Sequence, residues 1–451
     1  MRIKLGIPMR LSEIAKATCG RLNSHDDATI THISTDSREV ERGDLFIALK
    51  GECKDGVQYA DEVRKKGGYV LSAERDKGNI FHPNGRTALL SLAYFYIKNL
   101  PYILYKIGIT GSVGKTTTKE FLKILLSGSF LTHTSEGNFN NEIGLPLSVL
   151  SANKNTQILV LEMGMNHPGE IKRLSECLRP DIGIIINIGT AHIGNFGSRE
   201  AIAKAKLEIT DGMNNGALIV PHGEPLLSSC MKKSTFSISD PSASYYLKTE
   251  KENRISLFKN GEKYTDAYFY LQGDQYKKCL IAAASAAMET GISPELLSSN
   301  ISSISKDNTR QKVFRLDNYY FYTDLYNASR ESVLAFLEIA ESEERTGSKS
   351  LLLGDILELG EMSGAIHREI GRAVSPKVFN NLFLFGDHIH QVALGAIDIG
   401  FPAERIFINN DLSSPDACAM MIRENCSAGD SIFMKASRAI RLERVLEYFR
   451  K

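Results

Sequence analysis

The stretch from Lys106 to Thr117 constrains the fold of this chain more than any other part of the sequence. An apolar run of strand length ends at Thr110, and a helical pattern begins a few residues later. The loop between them consists of Gly111, Ser112, Val113, Gly114, Lys115, Thr116 and Thr117. A strand that leads through glycines and a lysine into a helix is the setting that a phosphate-binding loop requires. The sequence therefore predicts a nucleotide site built on an α/β sheet.

The residue types in this loop suit polyphosphate. Glycines let backbone amides close on phosphate oxygens, and the helix start adds partial positive charge. Lys115 is expected to meet the β- and γ-phosphates, and the Thr116 hydroxyl to hold Mg²⁺. Further nucleotide contacts are expected from Gly111, Ser112, Gly114 and Thr117. The alternative is a plain turn with a capping threonine. Because Ile109 replaces the first glycine of the general motif, the compact form argues against ordinary GTPases and kinases.

Length and composition exclude several classes of protein. The 451 residues predict about three domains at roughly 150 residues each. Lys plus Arg (54) and Asp plus Glu (53) nearly cancel, which argues against a protein that coats nucleic acid. The seven cysteines form no C-x-x-C pair, so we expect reduced thiols and neither zinc nor disulfides. No apolar run reaches the roughly 18 residues of a membrane span, so we expect a cytoplasmic protein. We also expect it to be a monomer.

Three regions differ in their pattern of apolar and polar residues. They predict a three-domain α/β architecture, with domains at 1–84, 85–308 and 309–451. The first mixes short β-like runs with polar turns and predicts a small α/β unit. In the second, the apolar runs after the phosphate loop show no period-2 alternation, as in strands buried on both faces of a mostly parallel sheet. The third alternates five short strand candidates with helical patterns, including residues 330–342 and 441–451, and predicts a Rossmann-like unit. Asn260-Gly261 predicts a β-hairpin turn late in the second region.

Several sequence blocks carry a resemblance to the Mur ligase family. After the phosphate loop come EGNFNNEIGLP (136–146), LEMGMNHPGEI (161–171), NIGTAHIGNFG (187–197) and AKAKLEI (203–209). Their order and spacing are similar to those of the family member that adds D-alanyl-D-alanine. In the third region, DLYNA (324–328), GDILELG (354–360) with His367, and KASR (435–438) resemble the family's blocks. The fold that this implies has a small substrate domain, a central phosphate-loop ATPase domain and a Rossmann-like C-terminal domain.

The resemblance also implies a reaction. Hydroxide is too poor a leaving group for a carboxylate to condense with an amine, so ATP phosphorylates the carboxylate and the amine attacks the acyl phosphate. The implied function is an ADP-forming amide ligase of peptidoglycan precursor synthesis that joins D-alanyl-D-alanine to UDP-N-acetylmuramoyl-tripeptide. ATP and Mg²⁺, as two ions, are the implied cofactors. Residues Thr35, Asp36, Ser37 and Arg38 resemble the segment that holds the UDP end of the substrate.

Three further side chains are candidate metal-site or catalytic groups beside Lys115. Glu162 ends an apolar strand, where a carboxylate must be paired or bound to a metal. His192 resembles the family's second metal ligand, although a lone histidine is also a common structural residue. Lys206 matches a lysine that carries a CO₂-derived carbamate, which turns a cation into a carboxylate mimic. Its plain alternative is a solvated helix lysine.

The remaining candidates rest on the resemblance alone. Asn138, Asn140 and Asn141 are implied to contact substrate near the transferred phosphate, with Asn141 as a catalytic residue, whereas the Asn pair could equally cap the next helix. Arg315 and Asp324 match positions that close over the nucleotide. Substrate contacts are also implied for Asn327, Lys435, Ser437 and Arg438. The last three residues could equally form an exposed helix start with Ser437 as its cap.

The sequence departs from the family around the base of the nucleotide. The family pattern G-x-H-N-x-x-N is replaced by GDQYKKC at 273–279, so the histidine and both asparagines are missing. Gln275 could still donate a hydrogen bond and Tyr276 could stack on a base. Three hypotheses follow: a divergent cell-wall ligase, a paralogue that joins another carboxylate and amine, or a weakened relative that binds UDP-linked precursors. The intact phosphate loop and metal positions favour an active enzyme.

Overall fold

The computed structural model describes residues 1–51, 54–230, 233–305, 307, 309, 311–345 and 347–450. Within these residues the strands form three sheets that follow one another along the chain. The fold is α/β with mostly parallel sheets, as the sequence predicts. Two residues used in the sequence analysis lie outside the described part: residue 308, at the predicted domain boundary, and Cys53, one of the seven cysteines. In that part, no helix is long and apolar enough to cross a membrane.

The N-terminal sheet has six strands in the order β1-β3-β4-β5-β6-β2. Strands β3 to β6 run parallel, and β1 and β2 are antiparallel edges. The strands are β1 (Arg2–Arg10), β2 (Arg21–Leu22), β3 (Thr29–Ser34), β4 (Leu45–Ile47), β5 (Tyr69–Ser72) and β6 (Ile80–Phe81). The helices of this region are α1 (Leu11–Ala17) and α2 (Ala60–Lys65).

The central sheet has nine strands in the order β15-β14-β13-β12-β11-β10-β7-β9-β8. Its strands are β7 (Tyr105–Thr110), β8 (Thr132–Thr134), β9 (Ile158–Glu162), β10 (Ile182–Ile185), β11 (Ala217–Pro221), β12 (Ser234–Ser237), β13 (Tyr245–Thr249), β14 (Arg254–Lys259) and β15 (Glu262–Tyr268). Every residue of β9 and β10 is buried, which explains why their sequences are apolar except for Glu162 at the end of β9. The predicted hairpin is confirmed, because Asn260 and Gly261 both have positive φ between the antiparallel β14 and β15.

Helices cover both faces of the central sheet. They are α3 (Gly85–Lys98), α4 (Lys115–Leu125), α5 (Gly144–Leu150), α6 (Glu170–Leu178), α7 (Ile193–Phe196), α8 (Arg199–Leu207), α9 (Asp274–Glu289) and α10 (Pro294–Ser302). The alanine-rich α9 packs against α4, which carries the phosphate loop at its start. Small side chains let two helices approach closely, so α9 begins directly beside the loop. The segment 274–279, which departs from the family pattern, forms the first turns of α9.

The C-terminal sheet has six strands in the order β16-β17-β21-β18-β19-β20, and only the edge strand β16 is antiparallel. Its strands are β16 (Lys312–Leu316), β17 (Tyr319–Asp324), β18 (Lys349–Gly354), β19 (Phe379–Phe385), β20 (Ile406–Asn409) and β21 (Ser431–Lys435). Its helices are α11 (Arg330–Ser342), α12 (Ser363–Ala373), α13 (His390–Asp398) and α14 (Pro415–Asn425). All five predicted strands are present. The expected terminal α-helix is instead a 3₁₀ segment at Leu442–Phe449, which buries Leu442, Val445, Leu446 and Phe449.

Candidate nucleotide and substrate cleft

The phosphate loop joins β7 to α4 as its sequence predicts. Gly114 precedes the helix with φ +92°, and a Cβ there would lie 2.7 Å from Sγ of Cys279. Only glycine combines that backbone conformation with so close a neighbour. The Nζ of Lys115 donates a 2.6 Å hydrogen bond to the carbonyl of Gly111 and so folds back over the loop. Residues 114–117 at the start of the helix line the same cleft, and the unpaired amides of a helix start favour an anion.

Asn187 holds the phosphate loop from the next strand, and the sequence analysis assigned it no role. Its Oδ1 accepts hydrogen bonds from the backbone amides of Ser112 and Val113, both at 3.0 Å. Its Nδ2 donates to the carbonyl of Val113 at 2.9 Å. Asn187 follows β10, which pairs directly with β7, so the sheet brings the two segments together. The signal available in the sequence was a polar residue two positions after a buried strand.

We expect Asn187→Ala to weaken ADP binding about tenfold, because it leaves two loop amides without their acceptor. Isothermal titration with ADP measures this change. Asn155→Ala, at an exposed loop position, is the matched control and should bind like the wild type. Equal ADP affinity in the Asn187 variant would contradict a role in shaping the loop.

Glu162 ends β9 beneath the phosphate loop and is completely buried. Its Oε1 lies 3.3 Å from Nζ of Lys119, a lysine of α4 that is only 1% exposed. Lys119 also donates a 2.6 Å hydrogen bond to the carbonyl of Ser135. The contact with Glu162 is an ion pair without hydrogen-bond alignment, so neither carboxylate oxygen has a hydrogen-bond partner among the described residues. A buried carboxylate with open oxygens suits a cation.

Lys206 and His192 line the same cleft as the loop. Lys206 is 2% exposed on α8, so the alternative of a solvated helix lysine is wrong. Burial, with Lys115 nearby, lowers its pKa well below the usual lysine value, which favours the neutral amine. The Nδ1 of His192 lies 2.5 Å from Oε2 of Glu358, and this contact lowers the pKa of the glutamate.

The cleft has a volume of about 670 Å³ and brings together candidates from both the central and the C-terminal sheets. The sequence-predicted residues on its wall are Ser112, Gly114, Lys115, Thr116, Thr117, Asn138, Asn140, Asn141, His192, Lys206, Asp324, Asn327 and Lys435. Within the described part of the chain, no three His, Cys, Asp or Glu side chains converge as a ready metal cage. A Mg²⁺ ion that uses phosphate oxygens and waters needs only one or two protein carboxylates. Thr116 and Glu162 carry oxygen ligands of the kind such an ion takes. Thr116 lines the cleft, whereas Glu162 is fully buried beside Lys119 and is not on the cleft wall.

The asparagine loop caps the next helix through Asn141 alone, and its contact with substrate stays a prediction. Oδ1 of Asn141 accepts hydrogen bonds from the amides of Ile143 and Gly144 at 3.1 and 2.9 Å, so this side chain caps the start of α5. Asn140 instead packs against Gly164, where a Cβ would lie 2.9 Å from the Asn140 side chain. Both residues still line the cleft.

The C-terminal candidates divide into two groups. Lys435 is buried, and its Nζ contacts Oδ2 of Asp324 at 2.7 Å and the carbonyl of Asn327 at 2.9 Å. Lys435 and Ser437 are both buried, so neither belongs to an exposed helix start. Ser437 does precede a short 3₁₀ segment, Arg438–Ile440, but its hydroxyl accepts a hydrogen bond from the amide of Leu357 and does not cap that segment. Arg438 is exposed and pairs with Glu443, away from the cleft.

Arg315 does not reach the nucleotide cleft. It lies exposed on β16, with its guanidinium 5.7 Å from the ring centre of Tyr320 on the neighbouring strand. Strand β16 is the outer edge of its sheet. In this arrangement Arg315 does not line the cleft, and its closing over the nucleotide stays a prediction.

The first turns of α9 supply the cleft wall where the family pattern is missing. Gln275, Tyr276 and Cys279 line the cleft, and Cys279 is fully buried against the phosphate loop. Burial raises the pKa of the Cys279 thiol to about 11 and that of Tyr276 to about 12, so both stay protonated at neutral pH. The hydroxyl of Tyr276 donates a 3.4 Å hydrogen bond to Oε1 of Gln311. Sequence reasoning missed Gln311, which carries no motif.

A second cavity of about 410 Å³ contains the N-terminal candidates Thr35, Asp36, Ser37 and Arg38. The guanidinium of Arg38 pairs with the carboxylate of Asp36 at 2.5 Å, which lowers the pKa of that carboxyl. Arg86 and Ile143 line this cavity and also the first one. The two cavities are therefore neighbours, and one elongated molecule can reach both.

A phosphate loop, a buried strand-end carboxylate and an adjoining second cavity define a nucleotide-dependent enzyme of the phosphate-loop class. The family model described as Mur ligase middle domain matches residues 109–287, and the model described as Mur ligase family, catalytic domain, matches residues 29–95. The chain belongs to the Mur ligase family. It is 34% identical to UDP-N-acetylmuramoyl-tripeptide–D-alanyl-D-alanine ligase of Bacillus subtilis, in an alignment that covers 97% of this chain and 96% of that protein. Its identity to the Escherichia coli protein of that name is 27%, in an alignment that covers 86% of this chain and 88% of that protein.

Solved structures agree with this assignment. MurF from Acinetobacter baumannii has a TM-score of 0.87 and 26% identity, and covers 99% of this chain and 100% of its own. MurF ligase from Thermotoga maritima in complex with ADP has a TM-score of 0.80 and 27% identity. That match covers 93% of this chain and 96% of the Thermotoga chain. Both similarities extend over all three sheets of the present chain.

Proposed function

We propose that this chain is an ATP-dependent ligase that adds D-alanyl-D-alanine to UDP-N-acetylmuramoyl-tripeptide in the synthesis of peptidoglycan precursors. The observation that supports the proposal is that the two cavities adjoin and share Arg86 and Ile143 in their walls. A UDP-linked substrate held at residues 35–38 extends from there toward Lys115. The near-complete alignment with ligases of that name supports the same substrates.

The chemistry follows from the groups around the phosphate loop. The terminal carboxylate of the tripeptide attacks the γ-phosphorus of ATP, and ADP leaves. The amine of D-alanyl-D-alanine then attacks the acyl phosphate, and inorganic phosphate leaves as the amide forms. Lys115 and the loop amides stabilise the negative charge that develops on the transferring phosphoryl group. We propose that Asn138 and Asn140, which line the cleft, orient the carboxylate.

Mg²⁺, as two ions, completes this proposal by neutralising phosphate charge. Thr116 and Glu162 would hold one ion, and His192 with a carbamylated Lys206 would hold the other. We further propose that the three sheets belong to domains at 1–84, 85–308 and 309–451. A monomer in the cytoplasm, where nucleotide-linked precursors are made, is consistent with this function.

The nucleotide base is proposed to be adenine, bound in a pocket unlike that of its relatives. Gln275 and Tyr276 stand in place of the usual histidine and asparagine, and both line the cleft. The aromatic face of Tyr276 offers stacking, and the Gln275 amide offers a hydrogen bond. ATP binding is thereby retained with different contacts.

Carbamylation of Lys206 gives a separate prediction. A neutral, buried amine is the form that reacts with CO₂, so we expect ¹³C-bicarbonate to give a carbamate NMR signal in the wild type. Lys206→Arg should lose that signal and at least about tenfold in kcat, because a group placed to approach the metal is removed. Lys204→Arg, at an exposed position two residues earlier on α8, is the control. A signal that persists in Lys206→Arg would contradict the assignment.

The test of the proposed function is phosphate release with ATP, Mg²⁺, UDP-N-acetylmuramoyl-tripeptide and D-alanyl-D-alanine. We expect release that requires all four components. Release with a different dipeptide or amine in place of D-alanyl-D-alanine would indicate a paralogue with another substrate. Binding of the UDP-linked precursor without any ATP hydrolysis would indicate a catalytically weakened relative.

A further inference from the structure

Two carboxylates from the C-terminal sheet region contact the same short segment of the central region, residues 189–194. The first is Glu331, in the opening turn of α11. Its Oε1 accepts a hydrogen bond from the amide of Thr190 at 3.0 Å, and its Oε2 accepts one from the Thr190 hydroxyl at 3.3 Å. A Cβ at Gly189 would lie 2.6 Å from Cδ of Glu331, so the carboxylate rests directly on the backbone.

The second carboxylate is Glu358, in the loop after β18. Besides the 2.5 Å contact of its Oε2 with Nδ1 of His192, its carbonyl accepts a 3.0 Å hydrogen bond from the amide of Gly194. A Cβ at Gly194 would lie 2.8 Å from both the Glu358 carbonyl and the Gly360 amide. The absence of side-chain atoms at Gly194 therefore permits the two loops to dock.

The backbone on both sides of this contact adopts an unusual conformation. His192 has φ +65° and Glu358 has φ +64°, the left-handed region that residues with a Cβ seldom occupy. Such conformations persist where surrounding contacts hold them, and they cluster at functional sites. Each strained residue here is held by the other across the boundary between the two sheet regions.

The contacted segment is connected to the phosphate loop. The amide of Gly189 donates a 2.9 Å hydrogen bond to Oγ of Ser112, and His192 lines the nucleotide cleft. The contact of Nδ1 of His192 with Glu358 is a close ion-pair contact without hydrogen-bond alignment. It leaves Nε2 as the ring nitrogen for another partner. Histidines that bind metals usually direct their second nitrogen at a carboxylate, which fixes the ring orientation.

We propose that Glu331 and Glu358 are positioning residues that the C-terminal region contributes to the reaction. They hold residues 189–194 from two sides, so that His192 presents Nε2 to the cleft and Gly189 keeps its contact with the phosphate loop. The inference rests on the proposed role of His192 as a metal-site residue. Under this proposal His192 takes the orientation needed in the cleft only when the C-terminal region is docked against residues 189–194.

The test compares metal binding with nucleotide binding. Mn²⁺ serves as the probe and is titrated by electron paramagnetic resonance into the full chain with ADP, while ADP affinity is measured separately without metal. We expect Glu358→Gln to weaken Mn²⁺ binding at least about tenfold, with metal-free ADP affinity unchanged. Glu358→Asp should recover part of the loss. Glu361→Gln, an exposed glutamate three residues away, should behave like the wild type.

A double variant tests whether the two carboxylates act on one element. Because both hold the same segment, the losses in Mn²⁺ affinity of Glu331→Gln and Glu358→Gln should not add in the double variant. Wild-type Mn²⁺ affinity in Glu358→Gln would overturn the proposal, and so would fully additive losses. Failure of the wild type to form the amide product would instead overturn the proposed function, and the Mn²⁺ comparison would still be informative.

Discussion

Lys115→Ala is expected to lower kcat by at least about a hundredfold, the largest single effect on activity. Its Nζ reaches the Gly111 carbonyl across the mouth of the phosphate loop, in position to meet the terminal phosphates of ATP. Removal of one positioned donor from developing negative charge typically raises the barrier by about 3 kcal/mol. Phosphate release under saturating substrates measures the loss.

The matched control is Lys123→Ala, which removes an exposed lysine from the last turns of the same helix. This variant should keep wild-type kcat and thermal stability. The Lys115 variant should also keep wild-type stability, because the lysine lies at the open cleft. Equal activity of Lys115→Ala and the wild type would contradict the assignment of the loop as the catalytic phosphate site.

Lys119→Met is expected to have the largest effect on stability. The ammonium of Lys119 is the cation beside Glu162, and both side chains are buried. Removal of one partner of a buried ion pair leaves an uncompensated charge, which costs about 3–5 kcal/mol in the free energy of unfolding. Urea denaturation followed by circular dichroism measures the change. Lys123→Met controls for the loss of a lysine from α4.

A second substitution distinguishes charge from packing. Lys119→Met combined with Glu162→Gln removes both charges and keeps both shapes, so it should recover much of the lost stability without recovering activity. A double variant no more stable than Lys119→Met would contradict the ion-pair account. Activity in that variant would also contradict the proposed metal role of Glu162.

The phosphate loop and the parallel sheets were predictable from sequence because their signals are local. Apolar runs without alternation mark strands buried on both faces, and the order of strand, glycines, lysine and helix fixes the loop. The placement of Glu162 was also predictable, since a carboxylate ending an apolar strand needs a partner. The partner itself, Lys119, was not predictable, because a lysine in a helix is usually solvated.

Residues that depend on docking between sheet regions were the least predictable. Arg315 fits a sequence pattern, but it lies on the outer edge strand β16. This position could not be predicted, because local sequence does not determine the order of strands in a sheet. Glu331 and Glu358 contact residues more than 100 positions away, so no spacing rule connects them. The final segment has helical periodicity but forms a 3₁₀ structure whose buried face packs on the C-terminal sheet.

The central claim is that the chain forms an acyl phosphate, and isotope transfer tests it most directly. The enzyme is supplied with ATP, Mg²⁺, D-alanyl-D-alanine and UDP-N-acetylmuramoyl-tripeptide labelled with ¹⁸O in its terminal carboxylate, and the released phosphate is analysed by mass spectrometry. The acyl-phosphate route predicts phosphate that carries one carboxylate oxygen for each amide formed. Release of unlabelled phosphate alone would show that water, and not the substrate carboxylate, accepts the phosphoryl group, and would contradict the proposed ligase reaction.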